Sequence, residues 1–265
     1  MEKPAVQFAL LEKYLHVTDK APAGASQVMP ITDLLKAETM QGLLDLGLEQ
    51  YKATSRLLPA SLLGVALFNL VGALHYAAAT YNHWLDLSLA NLNFYLEDHG
   101  DHLHVGFEVK EVRLQVLPEL NWEETLQELY AQFFRDHFNP LVQSIAEQAD
   151  VKPDMIWNQY AARLTFAQDF LLGQPLPAEM KERYLNGYKV LTQGISADVF
   201  GRRRNPFLHL KPIYLDSPNE EGKKVLMRSS CCMYNCREGG ELCYTCPKRT
   251  EKDRLEMKEK LAAVK

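Results

Sequence analysis

Apolar residues recur at helical spacing through Phe8, Leu11, Tyr14 and Leu15, and again through Leu34, Leu35, Leu43 and Leu44. Both runs predict short amphipathic helices, and Pro22, Gly24 and Pro30 predict a loop between them. Polarity then almost vanishes. No residue between Arg56 and Asp86 carries a formal charge, and the stretch from Leu57 to Thr80 is long enough to cross a bilayer. Pro59, Ser61, Asn69 and His75 interrupt it, as do Gly64 and Gly72, and its flanks lack the lopsided Lys/Arg signature of a single span. It reads as a fully buried core helix with Pro59 near its first turn. Beyond it the period shortens to two. Leu92, Phe94 and Leu96 alternate with Asn91, Asn93 and Tyr95, and Leu103, Val105, Phe107 and Val109 alternate again after the turn Asp98-His99-Gly100-Asp101. That pattern predicts a β-hairpin with one buried face.

Helical spacing returns with a capping-box start at Asn121 and Glu124. One apolar stripe follows through Leu126, Leu129, Tyr130, Phe133, Phe134 and Phe138, with Pro140 breaking or restarting it. Lys152-Pro153-Asp154 opens a further helix through Ile156, Tyr160, Leu164 and Leu171, closed by Gly173 and Pro175. The Trp157 and Tyr160 pair on it reads as core. A shorter helix is expected from Pro177 to Leu191, a strand near Leu208 to Leu215, a turn at Ser217-Pro218-Asn219 and a strand near Lys224 to Met227. Thr250 caps a charged, solvated last helix. The expected fold is α+β: a mostly helical domain with a β-hairpin and short strands, plus a C-terminal cysteine-rich segment. The chain divides at this level into an N-terminal helical region (1–56), an α+β domain (57–227) and the cysteine segment with its final helix (228–265).

Composition changes the picture in two ways. Apolar residues at 47% and charged residues at 24% of the 265 exclude a disordered or collagen-like chain. The net charge of −5 excludes a nucleic-acid binder steered by bulk charge. That charge is uneven: residues 201–265 hold 15 Lys/Arg against 9 Asp/Glu, a net of +6, so an anionic ligand is expected to meet the last quarter of the chain. Met1-Glu2-Lys3-Pro4 does not open a secretory signal, and all five cysteines fall between Cys231 and Cys246, unlike a disulfide scaffold. The expected setting is the reducing cytoplasm, with peripheral association at the inner face of a membrane left open by the apolar helix. Dinucleotide, P-loop, zincin and serine-hydrolase fingerprints do not occur in the sequence.

Cys231-Cys232, ten residues, Cys243, two residues and Cys246 form the densest chemical signal, with Cys236 inside the ten. Four thiolates on a short loop suit an iron–sulfur cluster or a structural zinc. Zinc would use Cys232, Cys236, Cys243 and Cys246 and leave Cys231 unexplained. A cluster would use the adjacent pair, because a multi-iron cluster offers neighbouring cysteines separate metal atoms. Spacing leaves both open.

Arg228-Ser229-Ser230-Cys231-Cys232-Met233-Tyr234 with Cys243-Tyr244-Thr245-Cys246-Pro247 resembles the C-terminal signature of the FhuF-type ferric-siderophore reductases. The segment Leu85 to Val109, Asn139-Pro140-Leu141, the Trp157-Asn158 pair and Lys211-Pro212 are similar to the same family, and the resemblance spans about Leu58 to Pro247. It implies a [2Fe–2S] cluster on Cys231, Cys232, Cys243 and Cys246, with Cys236 a departure from the minimal pattern. It further implies one-electron reduction of ferric siderophores, the hydroxamate type among them, to release Fe(II). The electron would come from an external donor such as a ferredoxin, a flavoprotein reductase or a thiol. The rival expectations are a zinc-stabilised binding module and an iron–sulfur redox sensor.

A positive surface beside the cysteines would recruit an anionic ferric complex, and Arg203, His209, Lys211 and Arg228 are the candidates for substrate contact. His99, His102 and His104 cluster on the hairpin with Asp98 and Asp101. They read as a solvent-facing polar tip, since nothing in the sequence completes a coordination set. His75 and His83 are expected as packed or capping groups.

Overall fold

The computed structural model of the protein describes residues 4–100 and 102–263. The first apolar run forms α1 (Phe8–Leu15), which buries Phe8 and Leu11. The expected loop after it contains two strands, β1 (Val17–Thr18) and β2 (Ala25–Pro30), followed by a tight turn at Ile31–Leu35 and α2 (Ala37–Gln50). The uncharged stretch is α3 (Leu57–Tyr81). Among the described residues it is the one helix long and apolar enough to cross a membrane, with a mean hydropathy of 2.0 in its most apolar window, and 72% of that window is buried inside the fold. A helix apolar on every side needs cover on every side. Here α1 and α2 supply part of it.

After α3 come β3 (His83–Leu85), the hairpin β4 (Leu92–Asp98) and β5 (Leu103–Val109), and β6 (Leu114–Val116), which pairs with β3. The expected hairpin holds, in register from Leu92 opposite Val109 to Asp98 opposite Leu103. Its edges are covered by the N-terminal strands, giving the order β1-β5-β4-β2, with β1 parallel to β5 and β2 antiparallel to β4. Tyr95 breaks the simple in–out alternation by lying buried across Gly106. A Cβ at that glycine would stand 2.1 Å from the Tyr95 ring, so the close approach requires glycine there.

α4 (Trp122–Phe133) runs through a wide turn at Phe134–Phe138 into α5 (Asn139–Gln148), with Pro140 in its first turn. The expected capping box does not form. An N-cap side chain acts from extended backbone, whereas Asn121 takes a left-handed conformation at φ 61° and makes no side-chain cap. The single helix expected after Pro153 is two, α6 (Asp154–Trp157) and α7 (Tyr160–Leu172). The break falls at Asn158, whose side-chain oxygen accepts Arg202 Nη2 at 2.7 Å and whose carbonyl accepts Ser229 Oγ at 2.7 Å. α8 (Ala178–Lys189) packs along α3. The strand expected from Leu208 is only β7 (Tyr214–Asp216), paired with β8 (Lys224–Leu226); before it Leu208 and Leu210 are exposed. α9 (Glu251–Ala263) begins where Thr250 Oγ1 accepts the Asp253 amide at 3.2 Å, as expected.

The buried cluster joins Phe8, Leu11, Ile31 and Leu44 of the first 56 residues to α3, the hairpin and the aromatic group Phe134, Phe138, Trp157, Tyr160, Phe200 and Phe207. Trp157 and Tyr160 are core, and the Tyr160 hydroxyl donates to the Gly64 carbonyl at 2.7 Å.

Candidate metal centre

Residues 228–250 carry no helix or strand, so other bonds hold their shape. The Arg228 amide donates to the Thr245 carbonyl at 3.0 Å and lays the two cysteine-bearing stretches side by side. Ser61, fully buried on α3, donates to the Cys232 carbonyl at 2.8 Å and accepts from Gln159 Nε2 at 3.1 Å. Ser229 Oγ accepts the Ala162 amide at 3.2 Å, filling a free donor in the first turn of α7. From the other side Arg254 donates to the carbonyls of Tyr244 and Cys246, both at 2.9 Å, and Arg249 donates to those of Leu242 and Cys243. The helix expected to be merely solvated therefore turns one arginine inward as a clamp.

Within this frame the thiols influence one another: Cys243 acts first on Cys232, and Cys231 and Cys243 both act on Cys246. Cys231, Cys232 and Cys246 are buried and Cys243 is half-buried. Each of the four sulfurs also receives the amide two residues further on. Met233 N lies 3.4 Å from Cys231 Sγ, and the amides of Tyr234, Thr245 and Lys248 serve Cys232, Cys243 and Cys246. Met233 adopts φ 59°, uncommon outside glycine, at the turn after the adjacent cysteines. Donors aimed at sulfur favour thiolate over thiol. Cys236 holds the loop by its backbone: its carbonyl accepts the Thr54 amide at 3.0 Å, beside Glu238 N on Lys52 O at 2.9 Å.

The hydrogen bond from Cys232 brings Cys243 down to about 5, and the same bond pushes Cys232 up, so one proton serves two sulfurs. The Arg228 charge favours the thiolate at both. Arg163 on α7 also faces Cys232. Burial and then the like charge of Arg228 push it down, and Tyr160 and Cys232 oppose that shift. Sequence reading missed Arg163 because it lies among Ala161, Ala162 and Leu164, where its one signal is a charge in an apolar run.

Of the substrate candidates, Arg228 is at the sulfurs. His209 lies against the same helix, its Nδ1 3.3 Å from Thr165 Oγ1, and burial pushes it down. Arg203 and Lys211 are exposed, and among the described residues no hydrogen bond or ion pair ties either to the cysteine loop.

The donor set fits a thiolate-bound metal group. Four sulfurs on one tetrahedral zinc, at about 2.3 Å from it, would all stand about 3.8 Å apart. Among the described residues the one group of three or more His, Cys, Asp or Glu ligand atoms all within 4.8 Å of one another is Glu97, His99 and His104, so the sulfurs do not converge as a single compact quartet. His75 and His83 are placed as expected: His75 is buried, and His83 Nδ1 lies 2.6 Å from the Tyr81 carbonyl. Asp101, a suggested oxygen donor at the hairpin tip, lies outside the described residues. Comparison of the chain with protein-family models, curated proteins and solved structures returned no match.

Proposed function

We propose that this chain is a cytoplasmic one-electron reductase of ferric siderophores, related to the FhuF type, with a [2Fe–2S] cluster on Cys231, Cys232, Cys243 and Cys246. What supports the reading is the sequence pattern of four cysteines, two of them adjacent, on one clamped loop beside the Arg228 charge. Adjacent cysteines suit a centre with two metal atoms, since each can reach a different one, whereas a lone zinc would leave one of the five cysteines, Cys231, unused. A bound cluster supplies one electron at a time, the stoichiometry of converting Fe(III) to Fe(II). Siderophore oxygens are hard donors that hold Fe(III) far more tightly than Fe(II), so that single electron frees the metal and spares the chelator.

The chain's own groups have defined tasks in this reading. Arg228 and Arg163 offset the negative charge gathered on the sulfurs. Arg228 would draw an anionic ferric complex toward Cys243, the most open of the four ligands, while His209 lies further along α7 against Thr165. The electron comes from an external ferredoxin, flavoprotein or thiol.

Absorption and EPR spectra of protein purified without oxygen, before and after dithionite, test this. A red-brown protein with a one-electron paramagnetic signal on reduction, discharged by a ferric hydroxamate, is the expected result. A colourless protein holding about one zinc per chain would overturn it and leave a zinc-stabilised binding module. A cluster that ferric chelates do not reoxidise would point to a redox sensor.

A further inference from the structure

The tip of the β4–β5 hairpin gathers half of the chain's eight histidines around one carboxylate. The register sets Glu97 directly opposite His104, and the His99 amide closes the turn on the His102 carbonyl at 3.0 Å. The His99 and His104 rings lie 4.4 Å apart, and His102 stacks on His99 at 5.2 Å. The fourth imidazole comes from elsewhere in the chain. His16 ends α1 in a left-handed conformation, is held there by the Phe107 amide on its carbonyl at 2.8 Å, and brings its ring to 4.7 Å from His104. The ligand atoms of Glu97, His99 and His104 all lie within 4.8 Å of one another. His99 Nε2 lies 4.0 Å from a Glu97 carboxylate oxygen. Both side chains remain open to solvent, which leaves an ion a path in.

We infer that Glu97, His99 and His104 form a second metal site, separate from the cysteines, that takes a divalent first-row transition ion. Two imidazoles and one carboxylate presented from one side are a donor set for Fe(II), Zn(II), Ni(II) or Co(II), and leave positions free for water. Calcium and magnesium want oxygen alone, so the nitrogen majority disfavours them. His16 and His102 flank the three ligands and stand ready to orient them or complete the shell.

The end of α2 ties this tip to the cysteine loop. Gln50 Nε2 donates to the Gly100 carbonyl at 3.1 Å and the Tyr51 hydroxyl to the Leu103 carbonyl at 2.9 Å, while Lys52 and Thr54 bond the loop at Glu238 and Cys236. The existence of the site stands on the hairpin alone. That its working ion is the Fe(II) released nearby rests on the reductase reading.

Titration of the untagged chain with Co(II) tests the site and separates it from the cysteines by colour. Co(II) on thiolate gives intense near-ultraviolet charge transfer, whereas Co(II) on imidazole and carboxylate gives only weak visible bands. One equivalent of the weak-band species is expected in the wild type and in a Cys231→Ser/Cys246→Ser variant. His99→Ala/His104→Ala should bind it more than about tenfold less tightly. Glu97→Gln, which keeps the shape and removes the charge, should also weaken it if the double variant fails to fold. Equal weak-band binding in Glu97→Gln and wild type, or Co(II) held only with the thiolate bands, would overturn the site. Neither result depends on whether the cysteines carry iron.

Discussion

Two single residues carry sharp expectations. Arg228 acts on both Cys232 and Cys243, and a positive charge there stabilises the more negative, reduced state of whatever the sulfurs hold. Arg228→Gln should therefore lower the potential of the loaded centre by roughly 40 mV, the one-electron equivalent of about 1 kcal/mol. A redox titration reads this directly. His75 is different in kind. It is buried beside Tyr184, with Gly187 so close that a Cβ there would stand 2.7 Å from its ring, and burial lowers it to about 3. Between about pH 6.5 and that value the unfolded chain binds a proton there that the folded chain does not, so stability rises with pH over the window and falls on acidification. The slope is up to about 1.4 kcal/mol per pH unit. Denaturant midpoints at pH 7, 6 and 5 should show it, and His75→Leu should flatten it.

At the scale of elements, α3 and α7 do more than fill the core, because Ser61 and Ser229 reach between them and the irregular cysteine loop. Ser61→Ala strips a donor from the Cys232 carbonyl and an acceptor from Gln159, all buried, and should cost about 1–3 kcal/mol. The proposed cluster should also lose its metal faster in the variant; a colorimetric chelator assay beside a urea titration measures both. The hairpin was legible because a period of two survives across both strands. β1 and β2 were not: Val17–Thr18 is too short to show a period, and Ala25–Pro30 lies mostly exposed at a sheet edge. The break at Asn158 escaped because the bonds made there, to Arg202 and Ser229, come from far along the chain and leave no local mark. Among site residues the cysteines announce themselves by spacing. Glu97 and Arg163 do not, since one depends on hairpin register and the other on which helix meets the loop.

For the whole molecule, stability is unevenly placed. The buried cluster runs from Phe8 to Phe207, whereas residues 228–250 rest on side-chain clamps and a few backbone bonds to each other and to residues 52–54. In the proposed reductase, removing the cluster should raise amide exchange in 228–250 and in 52–54, which that loop bonds, while α3 stays protected. Uniform loss of protection would show instead that the centre is part of global folding.

The sheet order has a consequence for synthesis. The ribosome releases β1 and β2 well before β4 and β5 exist to receive them, and α3 emerges in between. At roughly 5–20 residues per second that interval lasts several seconds. Late in it a helix with the composition of a membrane span stands outside any fold, exposed to the factors that sort nascent chains. Ser61 and His75, buried at 0% and 2% in the finished protein, are then the polar marks along its length that count against treating it as a span.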